Sequence, residues 1–70
     1  MNKLPVKLTN NIKLLRTRLD LTQEDLANKT YCTRQTISAI EKNRYSPSLL
    51  LAFKISHVLE SDINDVFGKE

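Results

Sequence analysis

The sequence contains very little glycine, cysteine and proline, and it contains no tryptophan. Its 70 residues include one Gly, one Cys and two Pro. One cysteine excludes an intramolecular disulfide, and together with a single histidine it provides too few ligands for a structural zinc site. The single glycine, Gly68, is too few for a glycine-rich loop that would bind phosphate or a dinucleotide. We therefore expect no metal, no cofactor and no enzymatic activity, and no small-molecule ligand is evident.

Long apolar stretches are also missing. The longest uninterrupted one covers residues 49–53, whereas a membrane span needs about 20 residues. The N-terminal residues include no apolar segment of signal-peptide length. These absences predict a cytoplasmic, nucleoid-associated protein with no membrane partner.

The composition is that of one small folded domain, and its charges are unevenly distributed. Hydrophobic residues make up 40% and charged residues 27% of the chain, whose net charge is +3. Residues 1–18 carry five cations and no acid, and residues 31–45 carry three cations and one acid. This distribution favours a polyanion bound to one face. Charge alone is equally compatible with an ordinary solvated surface.

Hydrophobic spacing and capping residues predict five helices. The predicted helices begin at Thr9 or Asn10, at Thr22, at Thr33, at Ser46-Pro47 and at Ser61-Asp62. Asp25 is placed to complete a capping box with Thr22, and Asn43 can adopt the left-handed conformation that ends the third helix. The residues that we expect on inward faces are Ile12, Leu15, Leu19, Leu26, Ala27, Ile37, Ile40, Leu49, Ala52, Ile55, Leu59, Ile63, Val66 and Phe67. Residues 3–8 alternate in polarity and predict a short strand, which Pro5 restricts to a sheet edge.

The third predicted helix carries DNA-reading side chains opposite its apolar stripe. Arg34 fits the guanine O6/N7 edge, Gln35 fits the adenine N6/N7 edge, and Ser38 can bond to any base. They lie near the N-terminal end of the helix, which is the end that contacts bases in a helix-turn-helix. Candidate phosphate contacts surround them at Gln23, Thr33, Lys42, Asn43 and Arg44.

Three sequence segments carry a family resemblance. They are Thr22-Gln23-Glu24-Asp25-Leu26-Ala27, Thr33-Arg34-Gln35-Thr36-Ile37-Ser38 and Ile40-Glu41-Lys42-Asn43. Together they resemble the helix-turn-helix of the Cro/C1-type (XRE) family of phage and bacterial regulators, and the similarity continues through Pro47-Ser48-Leu49 to Phe67. The resemblance covers residues 10–67 and implies an all-α, five-helix, lambda-repressor-like DNA-binding domain. We expect residues 1–70 to form this single domain.

The resemblance also implies roles for individual residues. Base-reading positions fall on Arg34, Gln35 and Ser38, with Ala39 able to pack against a thymine methyl or a sugar. Phosphate-contacting positions fall on Gln23, Thr33, Thr36, Asn43 and Arg44. Arg16 and Glu41 match a structural ion pair of the family.

The sequence departs from the family at the turn between helices two and three. The family usually has Gly between two apolar residues, where this chain has Thr30-Tyr31-Cys32. Because Gly is favoured at a positive φ, Tyr31 predicts a strained or slightly reshaped turn. Tyr31 either contacts the DNA backbone or covers the turn. We expect Cys32 to pack in the core rather than act as a redox sensor, and His57 to be exposed or at an interface rather than a metal ligand.

The fourth predicted helix has more apolar residues than one buried face requires. We expect a homodimer surface that includes Leu50, Phe53, Val58 and Phe67. A twofold dimer would place two recognition helices about 34 Å apart and read an inverted repeat in double-stranded DNA. The sequence thus predicts a dimeric, sequence-specific regulator, a repressor by resemblance. The alternative is a protein-interaction module, an antitoxin or antirepressor, in which DNA binding is secondary.

Overall fold

The structure is a computed structural model that describes residues 8–69. Over this range the chain forms five helices and a two-stranded sheet. The elements in chain order are β1 (Leu8–Asn10), α1 (Ile12–Arg18), α2 (Gln23–Thr30), α3 (Arg34–Glu41), α4 (Leu49–Val58), α5 (Ile63–Val66) and β2 (Phe67–Lys69). The helices confirm the expected five-helix, lambda-repressor-like architecture. None of the described helices has the length and hydrophobicity to cross a membrane.

Side-chain caps begin four of these helices. The capping box of α2 is complete, with Thr22 Oγ1 2.9 Å from the Asp25 backbone N and Asp25 Oδ2 2.9 Å from the Thr22 backbone N. Thr33 accepts from the Thr36 N–H at 3.1 Å at the start of α3, and Asp62 caps α5. These caps confirm the predicted starts, because each depends on a local spacing that is visible in the sequence.

Two predicted starts were wrong. The N-cap of α4 is Ser48, whose Oγ accepts from the Leu51 N–H, so the helix begins after Ser46-Pro47 and not at it. The N-cap of α1 is Asn11, which makes no side-chain cap bond. Instead, Asn10 Oδ1 accepts from the Ile12 N–H at 3.1 Å.

Left-handed residues follow four of the helices. The φ angles are 57° at Asp20, 60° at Tyr31, 58° at Asn43 and 55° at Glu60. Asn43 confirms the predicted stop of α3, and Tyr31 has the positive φ that the family's glycine would supply. After α1, α3 and α4, backbone N–H groups bond back to carbonyls of the last helical turn, as in Schellman motifs.

The core lies where the inner faces of the helices meet. Its buried members are Ile12, Leu26, Ala27, Ile37, Ile40, Ile55, Leu59 and Val66. Leu19 and Leu49 are exposed, contrary to prediction. Leu19 lies beyond the last helical residue of α1, where helical periodicity no longer fixes its direction, and Leu49 occupies the first position of α4.

A small antiparallel sheet joins the two ends of the described chain. Leu8 is opposite Lys69, Thr9 opposite Gly68 and Asn10 opposite Phe67. Phe67 therefore begins β2 and does not extend α5, which corrects the predicted last helix. Of the predicted strand over residues 3–8, only Leu8 lies within the described residues.

Candidate nucleic-acid interface

Helices α2 and α3 form a helix-turn-helix in which α3 has one buried and one open side. Ile37 and Ile40 are fully buried, which fixes the rotation of α3 about its axis. Arg34 and Gln35 are exposed and Ser38 is half-buried on the other side. The two apolar residues thereby direct the predicted base-reading side chains away from the core.

The open side of α3 continues into the loop that follows it. One shallow depression is lined by Arg34, Gln35, Ser38, Ala39, Lys42 and Arg44. The structure thus brings the predicted base-reading residues onto one surface with two of the predicted phosphate contacts. Guanidinium and ammonium groups beside hydrogen-bonding side chains are the combination that DNA backbones and base edges require.

The N-terminal end of α3 is organised by two threonines. Thr33 Oγ1 lies 3.0 Å from Thr36 Oγ1 and accepts from the Thr36 N–H. Thr33 is exposed and Thr36 half-buried, beside Arg34 and Gln35. Both hydroxyl groups therefore lie near the helix end that faces outward.

A polar network joins the predicted ion pair to Gln23. Arg16 Nε is 2.8 Å from Glu41 Oε2, and Arg16 also donates to the Leu21 carbonyl. Gln23 Nε2 donates to Glu41 Oε1 at 3.1 Å. The predicted pair therefore exists in the structure, and Gln23 has a structural partner that sequence reasoning did not assign to it. The network connects α1, α2 and the end of α3.

Asn10 is a residue at this surface that the sequence analysis treated only as a helix cap. Its Nδ2 donates to the Ile40 carbonyl at 3.0 Å and to Asn43 Oδ1 at 2.9 Å. Asn43, Lys42 and Arg44 are exposed around it. These bonds join residues thirty or more positions apart, so no local pattern could reveal them.

Tyr31 projects from the turn that precedes α3. Its side chain is 87% exposed, and Lys54 Nζ lies 5.7 Å from the centre of its ring. The cation above the ring connects the turn to α4. Cys32 is half-buried against the core, as predicted, with its Sγ 3.4 Å from Thr30 Oγ1.

The predicted dimer residues divide into two groups. Leu50 and Phe53 are 65% and 53% exposed on α4. Val58 and Phe67 are half-buried and pack against the core. The structure thus leaves Leu50 and Phe53, together with Leu49, as an apolar surface on the first half of α4.

Within the described part of the chain, ionisable groups at other places do not form a second centre. His57 is exposed, and residues 8–69 contain no cluster of His, Cys, Asp and Glu suited to a metal ion. The Thr22 backbone N–H that donates to Asp25 lowers the pKa of that carboxyl below its usual value, and the Thr22 hydroxyl adds to the effect.

This fold and this surface define a helix-turn-helix DNA-binding protein. A helix-turn-helix family model matches residues 12–66. The chain belongs to this family, the Cro/C1-type (XRE) helix-turn-helix regulators.

Relatives and solved structures agree with this assignment. A Methanocaldococcus jannaschii protein named as an uncharacterized HTH-type transcriptional regulator is 52% identical over 60 residues, which are 86% of this chain and 91% of that protein. Bacillus subtilis YgzD, with the same description, is 46% identical over 63 residues, 90% of this chain and 96% of its own. A Bacteroides fragilis protein of known crystal structure has a TM-score of 0.78 at 26% identity, over 87% of this chain and 98% of that one.

A second solved structure shows the same fold in a larger protein. The clp gene regulator ClgR of Corynebacterium glutamicum has a TM-score of 0.73 at 22% identity, over 77% of this chain and 57% of its own. The family model and the curated relatives together identify the chain as a DNA-binding transcriptional regulator and not an enzyme.

Proposed function

We propose that the chain is a repressor that binds an inverted-repeat operator as a homodimer. The observation that carries the proposal is the shared depression in which Arg34, Gln35 and Ser38 lie beside Lys42 and Arg44. The first three residues read bases and the two cations hold phosphates. A protein whose base contacts and phosphate contacts lie on one helix and the loop after it discriminates between sequences, because a wrong base leaves some of its hydrogen bonds unmade.

The proposed phosphate contacts extend along both ends of α3. Thr33 and Thr36 lie at its N-terminal end, and Lys42, Asn43 and Arg44 lie at its C-terminal end. Gln23, at the start of α2, completes the set while it bonds to Glu41. Contacts at both ends fix the register of α3 in the major groove, since phosphate contacts position a protein and base contacts specify the sequence.

The exposed apolar surface of α4 supports the dimer. Leu49, Leu50 and Phe53 would each gain from burial, at about 25 cal/mol per Å² of apolar surface removed from water. A twofold contact on this surface would present two α3 helices to successive turns of the duplex. Val58 and Phe67 are half-buried against the core, so they contribute less area to this contact. Occupation of an operator by such a dimer represses transcription by excluding the polymerase from overlapping DNA.

Selection of random-sequence duplexes by the purified protein, at about 150 mM salt where weak surface electrostatics are screened, tests this function. We expect an enriched inverted repeat, lost in an Arg34→Ala/Gln35→Ala variant. Placing that repeat over a promoter in a reporter strain should lower transcription when the protein is expressed. No enriched sequence would contradict the proposal and favour the interaction module, with α4 as the surface that binds a partner protein.

The dimer has its own test, which compares a double substitution on α4 with a control substitution on α1. Leu50→Lys/Phe53→Lys should give a monomer in analytical ultracentrifugation and reduce the selected DNA to a half-site. Leu14, on α1, is also 53% exposed, so Leu14→Lys should leave the mass and the selected repeat unchanged. A dimer that survives the α4 substitutions would show that another surface joins the subunits.

A further inference from the structure

Asn10 makes four contacts whose directions leave its amide only one orientation. Its Oδ1 faces the Ile12 N–H, which can only donate. Its Nδ2 faces the Ile40 carbonyl at 3.0 Å and the Glu41 carbonyl at 3.5 Å, which can only accept. The donor side of Asn10 therefore points at the C-terminal end of α3, and the acceptor side points at the start of α1.

This orientation determines that of a second amide. Asn10 Nδ2 lies 2.9 Å from the side chain of Asn43. Because a donor faces it, Asn43 must turn its own oxygen inward, which leaves its Nδ2 group on the opposite side of the planar amide. Asn43 is exposed and precedes Arg44 in the loop that follows α3. Its N–H groups are thus turned away from Asn10, at an exposed position next to Arg44.

Backbone hydrogen bonds also fix the conformation of the chain around Asn43. Asn43 adopts a φ of 58°. Its N–H donates to the Ile40 carbonyl at 3.0 Å, and the Arg44 N–H donates to the Ala39 carbonyl at 2.9 Å. Asn10 bonds to the same Ile40 carbonyl, so it also stabilises the last turn of α3.

We propose that Asn10 is a positioning residue for DNA binding, which fixes Asn43 with its Nδ2 group toward a phosphate oxygen. The inference rests on the proposed function, because it gives Asn43 a phosphate partner. A phosphate oxygen only accepts hydrogen bonds, so an Asn43 amide turned the other way would present an oxygen to it and lose the bond. Asn10 lies in β1, opposite Phe67 of β2. The two-stranded sheet thereby determines whether Asn43, at the end of the recognition helix, presents its N–H groups or its oxygen to the phosphate.

A methylphosphonate scan of the selected operator tests the inference, since each substitution removes the charged acceptor of one phosphate. Several phosphates in each half-site should be sensitive, and at one of them, the partner of Asn43, the substitution should weaken wild-type binding about tenfold, the size of a hydrogen bond to a charged group. Asn43→Ala and Asn10→Ser should both lose sensitivity at that same phosphate. Serine keeps an oxygen for the Ile12 N–H and is too short to reach Asn43. The double variant should bind no more weakly than the weaker single variant.

Asn11→Ser is the matched control. Asn11 is adjacent to Asn10, but its Nδ2 donates to the Asp65 carbonyl of α5 at 3.0 Å. It should retain the wild-type methylphosphonate pattern. If Asn10→Ser fails to fold in a melting experiment, Asn10→Asp provides the second variant. Its carboxylate accepts from Asn43 and should abolish sensitivity at the same phosphate.

Two results would overturn the inference without contradicting the proposed function. One is that Asn10→Ser keeps its sensitivity at the phosphate that Asn43→Ala loses. The other is that Asn43→Ala shows the wild-type pattern throughout. Failure of the wild-type protein to select any DNA sequence would instead overturn the proposed function, and this inference with it.

Discussion

Arg16 and Glu41 form a two-point ion pair between α1 and the last residue of α3. Nε lies 2.8 Å from Oε2, and Nη2 lies 3.2 Å from Oε1. The two side chains are 12% and 7% exposed, so water screens the pair only weakly. The contact fixes the end of the helix that carries the proposed base-reading residues, although neither residue lines the depression where those residues lie.

Removal of the arginine should therefore destabilise the fold. Arg16→Met leaves a nearly buried carboxylate without its cation, and breaking such a pair costs about 3–5 kcal/mol. A domain of this size has only about 3–5 kcal/mol of stability from its core, so the variant should be largely unfolded in a urea titration. Arg18→Met, on the exposed face of α1, should change stability by no more than about 0.5 kcal/mol. Equal urea midpoints for the two variants would contradict a structural role for the pair.

Loss of Arg34 should alter which sequences are bound. Arg34→Ala should weaken operator binding by about 1–3 kcal/mol and relax the preference at one base position, because the arginine fits the guanine edge with two bonds. Fluorescence anisotropy on the operator and its single-base variants measures both effects. The same loss on every sequence would show that Arg34 contacts only the backbone.

Loss of Arg44 should weaken binding without altering preference. Arg44→Ala removes one proposed phosphate contact, so the slope of log affinity against log salt should fall by about one. Lys29→Ala is the matched control, since Lys29 lies at the end of α2 in a different depression, beside His57 and Glu60. Its slope should equal that of the wild type. A changed base preference in Arg44→Ala would contradict the assignment.

Local signals in the sequence predicted much of this architecture. The Thr22 capping box, the Thr33 cap and the Asn43 stop each depend on neighbours within four residues, and all three are present. The start of α4 was ambiguous because Ser46 and Ser48 are equally good N-caps by local rules. Only the packed structure selects Ser48.

The features that the sequence could not predict depend on distant contacts. Asn10 bonds to a carbonyl 30 residues away, and Gln23 bonds to a carboxylate 18 residues away. Neither partner can be found from spacing or composition. The roles of Arg34, Gln35 and Ser38 follow from a helical period and a chemical match to base edges, which is why the sequence was sufficient to propose them.

A glycine should stabilise the chain where α4 ends. Glu60 is exposed and adopts a φ of 55°, which costs an L-residue about 1–2 kcal/mol and glycine nothing. After the greater loss of chain entropy for glycine, Glu60→Gly should gain about 1 kcal/mol and raise Tm by about 4–8 °C. Glu24→Gly, at an exposed position inside α2, should lower Tm instead. A lower Tm for both variants would show that the Glu60 side chain makes a compensating contact.

Acid should remove the contribution of Asp25 to the stability of α2. The Thr22 backbone N–H and hydroxyl lower the pKa of Asp25 below its usual 3.8. A carboxyl with a depressed folded pKa stabilises the fold fully above its unfolded pKa, and this stabilisation disappears as pH falls through the folded value. Asp25→Asn keeps an acceptor but does not titrate. Its urea midpoint should lie below that of the wild type at about pH 6, and the gap should narrow below about pH 4 and close once the pH is below the folded pKa of Asp25.

Salt distinguishes the two physical causes of the stability gap between wild type and Asp25→Asn, which are the hydrogen bonds from Thr22 and the charge of Lys29. The stabilisation should persist at about 1 M salt, where the screening length is about 3 Å, because a hydrogen bond across 2.9 Å is its main cause. The nearby charge of Lys29 makes only a smaller contribution. If the gap between wild type and Asp25→Asn disappeared in salt, attraction to Lys29 would be the dominant cause. If it stayed constant from about pH 6 to about pH 3, Asp25 would not titrate in that range and the capping box would not be the source of acid sensitivity.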